Sequence, residues 1–285
     1  MNRDHPGTVG TGADVLRVQL LGAFRVFVRS RTIEESEWRL RKAAHLVKLL
    51  ALAPGHRLHR EQLAEMLWPD SNPSAGAINL RHALHVARRA LGHTDEDPLL
   101  PARGDQIALE CAAGVLVDVE MFEAGAASAH RADEPAIFRR ALRLYTGDLL
   151  PEDRYEQWAL GRREELRSAY LDLLLRLSRL YQDRGEIEQA IECLQQAITT
   201  DPANEEAHSG LMRLYMLSGQ RSRALAQYET LKQSLRRELD ADPDEPTERL
   251  YTAIAGGKLP PGEKGQPSRQ RGTPTPSPGT TCRRP

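Results

Sequence analysis

Tyr181, Gly185, Ala190, Leu194 and Ala197 are echoed 34 residues later by Tyr215, Gly219, Ala224, Tyr228 and Leu231. No other feature restricts the fold of this chain as much. A fixed period of this kind means that one supersecondary unit is used twice. Such a unit is too small to bury a core alone and must stack on its neighbour. The residue types define the unit. A glycine releases the chain into the turn between two helices. An alanine marks the place where the two helices come closest, because a larger side chain there would push them apart.

The period and the Tyr, Ala and Pro positions match the tetratricopeptide pattern. Pro202 ends the first unit where that pattern places proline; the second unit has Arg236 instead and runs on into "ELDADPDEPTERLY", an atypical end that suits a capping repeat. Upstream, "DEPAIFRRALRLYTG" reads as a helix stopped by Gly147, and Tyr155 to Gly185 as one or two helices. The chain is thus expected to be helical from Val119 to about residue 256. Beyond it, residues 257–285 hold 7 of the 18 prolines and few apolar side chains, a composition that predicts disorder. Residues 1–14, rich in Gly, Asp and Thr, are expected to be disordered too.

The first part of the chain is built differently. "VLRVQLLGAFRVFV" (Val15 to Val28) predicts two strands in a hairpin, and Arg31 to Ile33 a third. From Trp38 the period turns helical: Leu40, Ala43, Ala44, Val47, Leu50 and Ala51 form one face, and Pro54–Gly55 ends it. A short helix spans Arg60 to Trp68 with His59 at its N-cap, and Pro69 stops it. Pro73 and Ser74 open a third helix that Gly92 closes. "LLPARGDQIAL" is a hairpin with "RGDQ" at its tip, and "GVLVDVEMF" adds a strand. This order predicts a helix-turn-helix followed by a wing.

The third helix, "SAGAINLRHALHVARRALG", divides into two faces. Ala77, Leu80, Leu84, Ala87 and Leu91 form an apolar stripe, with Ile78, Asn79, His82, His85 and Arg89 opposite and Arg81 and Arg88 flanking. A charged outer face on an isolated helix is ordinarily solvated surface. Here the short helix before it, the wing after it, and the absence of Asp and Glu from Ser71 to Thr94 turn the reading towards DNA. The major groove admits one helix, whose apolar stripe must then pack inward.

These segments resemble a known family. "LRVQLLGAFRV", "WRLRKAAHLVKLLALAPGHRLHREQLAEMLWPD" and "AINLRHALHVARRALG" are similar to the winged helix of bacterial SARP-type transcriptional regulators. "YTGDLLPEDRYEQW" with the helical repeats resembles the bacterial transcriptional activation domain that accompanies it. The resemblance covers about residues 15 to 256. It implies an OmpR-like winged helix, DNA binding and transcriptional activation. The fold class is therefore multidomain: an α/β winged helix-turn-helix over 15–118, an all-α tetratricopeptide-like repeat domain over 119–256, and a disordered C-terminal tail.

Within this reading Asn79, His82, His85 and Arg89 are base-contact candidates, with Ile78 able to touch a thymine methyl. Arg81, Arg88, Arg41, Lys42 and wing residue Arg103 are phosphate candidates. Arg81 has a structural ion pair as its alternative, and Arg39, Arg41 and Lys42 have plain solubility as theirs. In OmpR-like activators the loop before the recognition helix can touch RNA polymerase, so the resemblance implies that role for Asp70, Ser71 and Asn72. The partners implied are double-stranded promoter DNA, bound as two copies on direct repeats, RNA polymerase, and a second copy in a homodimer. The rival readings are a tetratricopeptide scaffold for a protein partner and the N-terminal part of a larger ATPase-containing regulator. The chain has no P-loop motif and no receiver domain ahead of the winged helix.

Composition excludes other classes. The net charge of −1 hides an uneven spread: 15 Lys+Arg against 14 Asp+Glu in 1–118, 18 against 25 in 119–256, and 6 against 1 in 257–285. Any nucleic-acid contact must therefore be local. Three scattered cysteines (Cys111, Cys193, Cys282) make no disulfide framework and fit a reducing, cytoplasmic setting. No apolar run approaches the roughly 18 residues of a membrane span. The His56/His59 and His82/His85 pairs lack further ligands at metal spacing, so no metal and no cofactor are expected. No nucleophile motif appears, and no catalytic residue is assigned.

Overall fold

The computed structural model describes residues 15–94 and 98–257. The segment 1–14 and the Pro-rich tail, both expected to be disordered, lie outside the described residues except for Gly257. The chain divides into two compact units between Thr200 and Asp201.

In the first unit, β1 (Leu16–Gln19), β2 (Arg25–Val28) and β3 (Arg31–Glu34) form an antiparallel meander. Their side chains alternate between core and surface as period-2 patterning requires. The free edge of β1 pairs in parallel with β7 (Val115–Val117), giving the order β3-β2-β1-β7. Residues Glu35–Glu37 make a 3-10 turn rather than the start of the first helix. Glu37 closes that turn by accepting from the Glu34 N–H at 2.9 Å, so α1 begins only at Arg41 and ends at Leu52. Every residue of α1 from Ala43 to Ala51 is buried, not one face alone.

After α1 come β4 (Arg57–His59), α2 (Arg60–Leu67) and α3 (Pro73–Leu91). The wing is β5 (Ala102–Arg103) and β6 (Gln106–Ala108), and β4 pairs with β6 in a small sheet of order β4-β6-β5. The three-residue β4 is too short to carry a readable alternation and exists only because β6 comes to it.

Four helices complete the unit: α4 (Asp118–Ala132), α5 (Pro135–Leu142), α6 (Gln157–Asp183) and α7 (Ile187–Thr200). α5 stops at Leu142, short of Gly147, and α6 is a single 27-residue helix. In the second unit, α8 (Glu205–Leu217) and α9 (Arg221–Leu239) pair, and a separate α10 (Glu245–Ala255) follows. Asp240, in the left-handed region at φ 51°, ends α9. The repeat reading is visible in both units: Ala190 and Ala224 are fully buried, and Gly185 and Gly219 turn at φ 75° and 71°.

Candidate nucleic-acid interface

α3 is held at both ends. Asn72 caps it by accepting from the Ala75 N–H at 2.8 Å, and Gly92 closes it in the left-handed region at φ 70°. Its inner face is Gly76, Leu80, Ala83, Leu84, Ala87 and Leu91. Ala77, expected in that stripe, is exposed. Gly76 takes its place because α2 crosses there; a Cβ on Gly76 would already touch the Ala64 Cβ at 3.5 Å.

The outer face carries Ile78, Arg81, His82, His85 and Arg89, all exposed, with Ile78 at 60%. These positions recur at three and four, so they form one stripe along the helix. Asn79 is half-buried at the edge of that stripe. Arg81 Nε donates to the Ala77 carbonyl at 3.3 Å, which lays its stem along the helix.

Arg88 has a structural place. Its Nε and Nη2 donate to the Leu100 carbonyl at 3.0 and 2.8 Å, and the Leu100 N–H donates to His93 Nδ1 at 3.0 Å. These bonds fasten the end of α3 to the chain entering the wing. The wing tip is fastened in turn to α2: Arg60 donates from its backbone N–H to the Asp105 carbonyl at 2.8 Å and from Nε to the Gly104 carbonyl at 3.0 Å. Arg103 on the wing is exposed and pairs with Glu110 at 2.9 Å. Asp70, Ser71 and Asn72 form an exposed loop before α3.

At the other end of the domain the candidate cations divide. Lys42 is half-buried at the start of α1. Arg41 turns towards the helical part of the chain, with Nη2 at 3.3 Å from Asp153 and 3.4 Å from Glu156. Beside it lies a cluster that sequence reasoning missed. Lys48 is fully buried, with Nζ at 2.5 Å from Asp153 and 2.6 Å from Glu35 and lying over the Phe24 ring at 4.5 Å. His45, also fully buried, is 2.9 Å from the same Asp153, and Trp158 packs edge-on against it at 5.7 Å. Burial pushes the Asp153 carboxyl up, but the bonds from His45 and Lys48 outweigh it and hold the group well below the usual carboxylate range. One sequence signal existed: a lone lysine inside "AHLVKLLALA" needs a buried carboxylate. The sequence does not say which one.

A backbone seam runs alongside. Leu150 N–H donates to the Leu20 carbonyl and Gly22 N–H to the Asp148 carbonyl, both at 2.9 Å, and Leu21 bridges Leu149. Asp118 accepts from the Leu20 and Leu21 N–H groups at 2.8 to 2.9 Å. Gly22, at φ 75°, leaves no room for a side chain, since a Cβ would stand 2.9 Å from the Thr146 carbonyl oxygen. The winged helix is thereby locked to α4–α7 within one unit. Among the described residues no three His, Cys, Asp or Glu side chains gather as metal ligands, and no helix is long and apolar enough to cross a membrane.

Residues 117–255 match the family model of the bacterial transcriptional activator domain. The chain carries that domain. Set behind a winged helix, the match agrees with the SARP-type arrangement expected from the sequence. Among solved structures, Mycobacterium tuberculosis EmbR, determined in complex with a low-affinity phosphopeptide, is similar with a TM-score of 0.65. The match covers 85% of this chain at 20% identity and shows a shared fold. This chain spans 65% of the length of that one. No curated protein matches it in sequence. The match begins at Val117, the last residue of β7, which is followed by Asp118 with its bonds to Leu20 and Leu21, so the first matched residues also belong to the fold of the winged helix.

Proposed function

We propose that the protein is a cytoplasmic, sequence-specific DNA-binding transcriptional activator. One observation carries the reading: the outer stripe of α3 is exposed, cationic and free of carboxylates, while its inner face is fully used in packing. Ile78, His82, His85 and Arg89 line the middle of that stripe and are the base-reading residues, with Asn79 reaching from its edge. Arg81, Lys42 and Arg103 are the phosphate contacts. Arg88 acts indirectly by fixing α3 to the wing, and Arg41 by fixing α1 to Asp153. Following the SARP resemblance, two copies occupy direct promoter repeats and the Asp70–Asn72 loop meets RNA polymerase.

Footprinting and gel shifts on the DNA upstream of its own gene test this. Binding should fall steeply with salt, at a log–log slope of about −0.9 per phosphate neutralised. Equal affinity for every duplex, or unchanged selectivity after Arg89→Ala, would remove the base-reading assignment. Binding that persists without residues 1–118 would remove the winged helix from the DNA contact altogether.

A further inference from the structure

A cavity of about 620 Å³ opens between α5, α6 and α7. Its floor is made by Tyr145, Tyr170 and Tyr181, each almost fully buried, with the Tyr145 and Tyr170 rings stacked at 4.3 Å. Gln196 donates to the Tyr170 hydroxyl at 2.6 Å, and the Tyr145 hydroxyl donates to Asp148 at 2.9 Å, so the floor is rigid. Cys193 lies there too, but burial pushes its thiol up to about 11, which makes it a packing group and not a nucleophile.

The walls differ in chemistry. On the α5 side stand Arg139 and Arg143, one helical turn apart and both exposed. Neither makes a salt bridge or a side-chain hydrogen bond among the described residues. Elsewhere in this unit Arg162 pairs with Glu123 and Glu165, and Arg184 with Glu134. Two guanidinium groups one turn apart on a groove wall, in a segment with 18 basic against 25 acidic residues, leave that wall able to take an anion from outside. On the α7 side stand Gln189 and Gln196, whose amides can both donate to and accept from a peptide main chain. Glu192 between them repels a carboxylate and turns it towards the arginines.

We propose that this groove binds an extended acidic peptide segment of a partner protein, its carboxylates on Arg139 and Arg143 and its apolar side chains on the tyrosine floor. Arginine forks match carboxylates in two-point geometry, and tyrosine rings give flat contact area at little entropy cost. The chain's own tail is a poor occupant: residues 258–285 hold 6 basic residues and 1 acidic one and would meet the arginines with like charge. A dissolved small anion would leave the amide wall and the aromatic floor unused. The inference stands apart from the DNA reading, because it uses other helices.

The test is fluorescence anisotropy of the full chain with fluorescein-labelled peptides, one of Glu-Leu-Asp repeats and one of Lys-Leu-Lys repeats. The acidic peptide should bind and the basic one should not. The double variant Arg139→Glu/Arg143→Glu should weaken binding by at least about tenfold, and Gln189→Trp, an exposed change that obstructs the groove, should do the same. Arg81→Glu/Arg89→Glu on α3 should leave peptide binding unchanged. The proposal is overturned if the α3 variant abolishes binding, which would make the peptide a DNA mimic. It also fails if both groove variants bind normally, or if citrate displaces the labelled peptide as well as unlabelled peptide does.

Discussion

Lys48 has no water to fall back on. Fully buried between Asp153 and Glu35, its ammonium depends on partners from two other segments. Removing one member of such a buried pair leaves the other uncompensated, at a typical cost of about 3–5 kcal/mol. Lys48→Met should therefore lower unfolding stability by about that amount in urea titrations. Lys48→Met combined with Asp153→Leu should recover much of it, since the stranded charge is then gone. The pH dependence has a definite sign. Asp153 is held below its ordinary range, so its contribution is present above about pH 4 and is lost as pH falls further. In the second unit His208 behaves in the other range. It is buried; Gln227 Nε2 lies 2.7 Å from its Nδ1, and its Nε2 faces the Pro202 carbonyl at 3.1 Å. Burial lowers its pKa despite the Gln227 and Pro202 carbonyls beside the ring, so the folded state resists the imidazolium. Stability should fall as pH drops below about 6.5. Thermal melts of His208→Gln between pH 7.5 and 5.5 should show a flatter slope than the parent.

At the scale of elements, α3 separates packing from reading along one helix. Gly76 faces Ala64 of α2 with just enough room for a methyl group. Gly76→Ala should hold or raise stability by up to about 1 kcal/mol, because alanine favours the helix. Gly76→Leu should pry α2 from α3 and lower the melting temperature. On the outer face, Arg89→Ala should cost about 1–3 kcal/mol on the preferred sequence and relax selectivity, as loss of a base contact does. Arg81→Ala should weaken all duplexes alike and reduce the salt slope by about 1. Competition gel shifts at several salt concentrations separate the two. Most of this helix was legible in the sequence, since three-and-four spacing, an opening proline and a closing glycine are local signals, while the Asn72 cap came from the structure. The placement of Gly76 and Ala77 was not, because the crossing point of α2 decides which of two small neighbours turns inward. Arg88 shows the same limit: an arginine on a helix flank can face phosphate or a carbonyl, and only the path of the chain through Leu100 supplies the carbonyl.

For the whole molecule, the compact units divide between Thr200 and Asp201, so the winged helix does not stand by itself. The winged helix and α4–α7 form one compact unit, joined by the Leu20–Leu150 seam, by Asp118 and by the Lys48–Asp153 cluster. A fragment of residues 1–118 would keep Asp118 and Glu35 but lose Leu150, Leu149 and Asp153, the other partners of Leu20, Leu21 and Lys48. It should unfold at lower denaturant than residues 1–200, because the backbone bonds of the Leu20–Leu150 seam and the buried Asp153 partner of Lys48 are gone. Chemical denaturation of the two fragments, compared by midpoint and slope, checks this; equal midpoints would mean that the seam contributes nothing to the first half.

The sequence by itself determined the elements and their order: the hairpin, the three helices and wing, the 34-residue helix pairs, and the faces of α3. All of these follow from periodicity, caps and turn residues, which act over a few positions along the chain. The tertiary structure alone decided the pairing of β1 with β7, the existence of β4, the burial of His45 and Lys48 against Asp153, the positions of Arg41 and Arg88, and the groove beneath Arg139 and Arg143. Each of those depends on groups far apart in sequence meeting in space. A polar side chain reads the same in a sequence whether it will face water, a phosphate or a buried carboxylate, and only packing chooses among them.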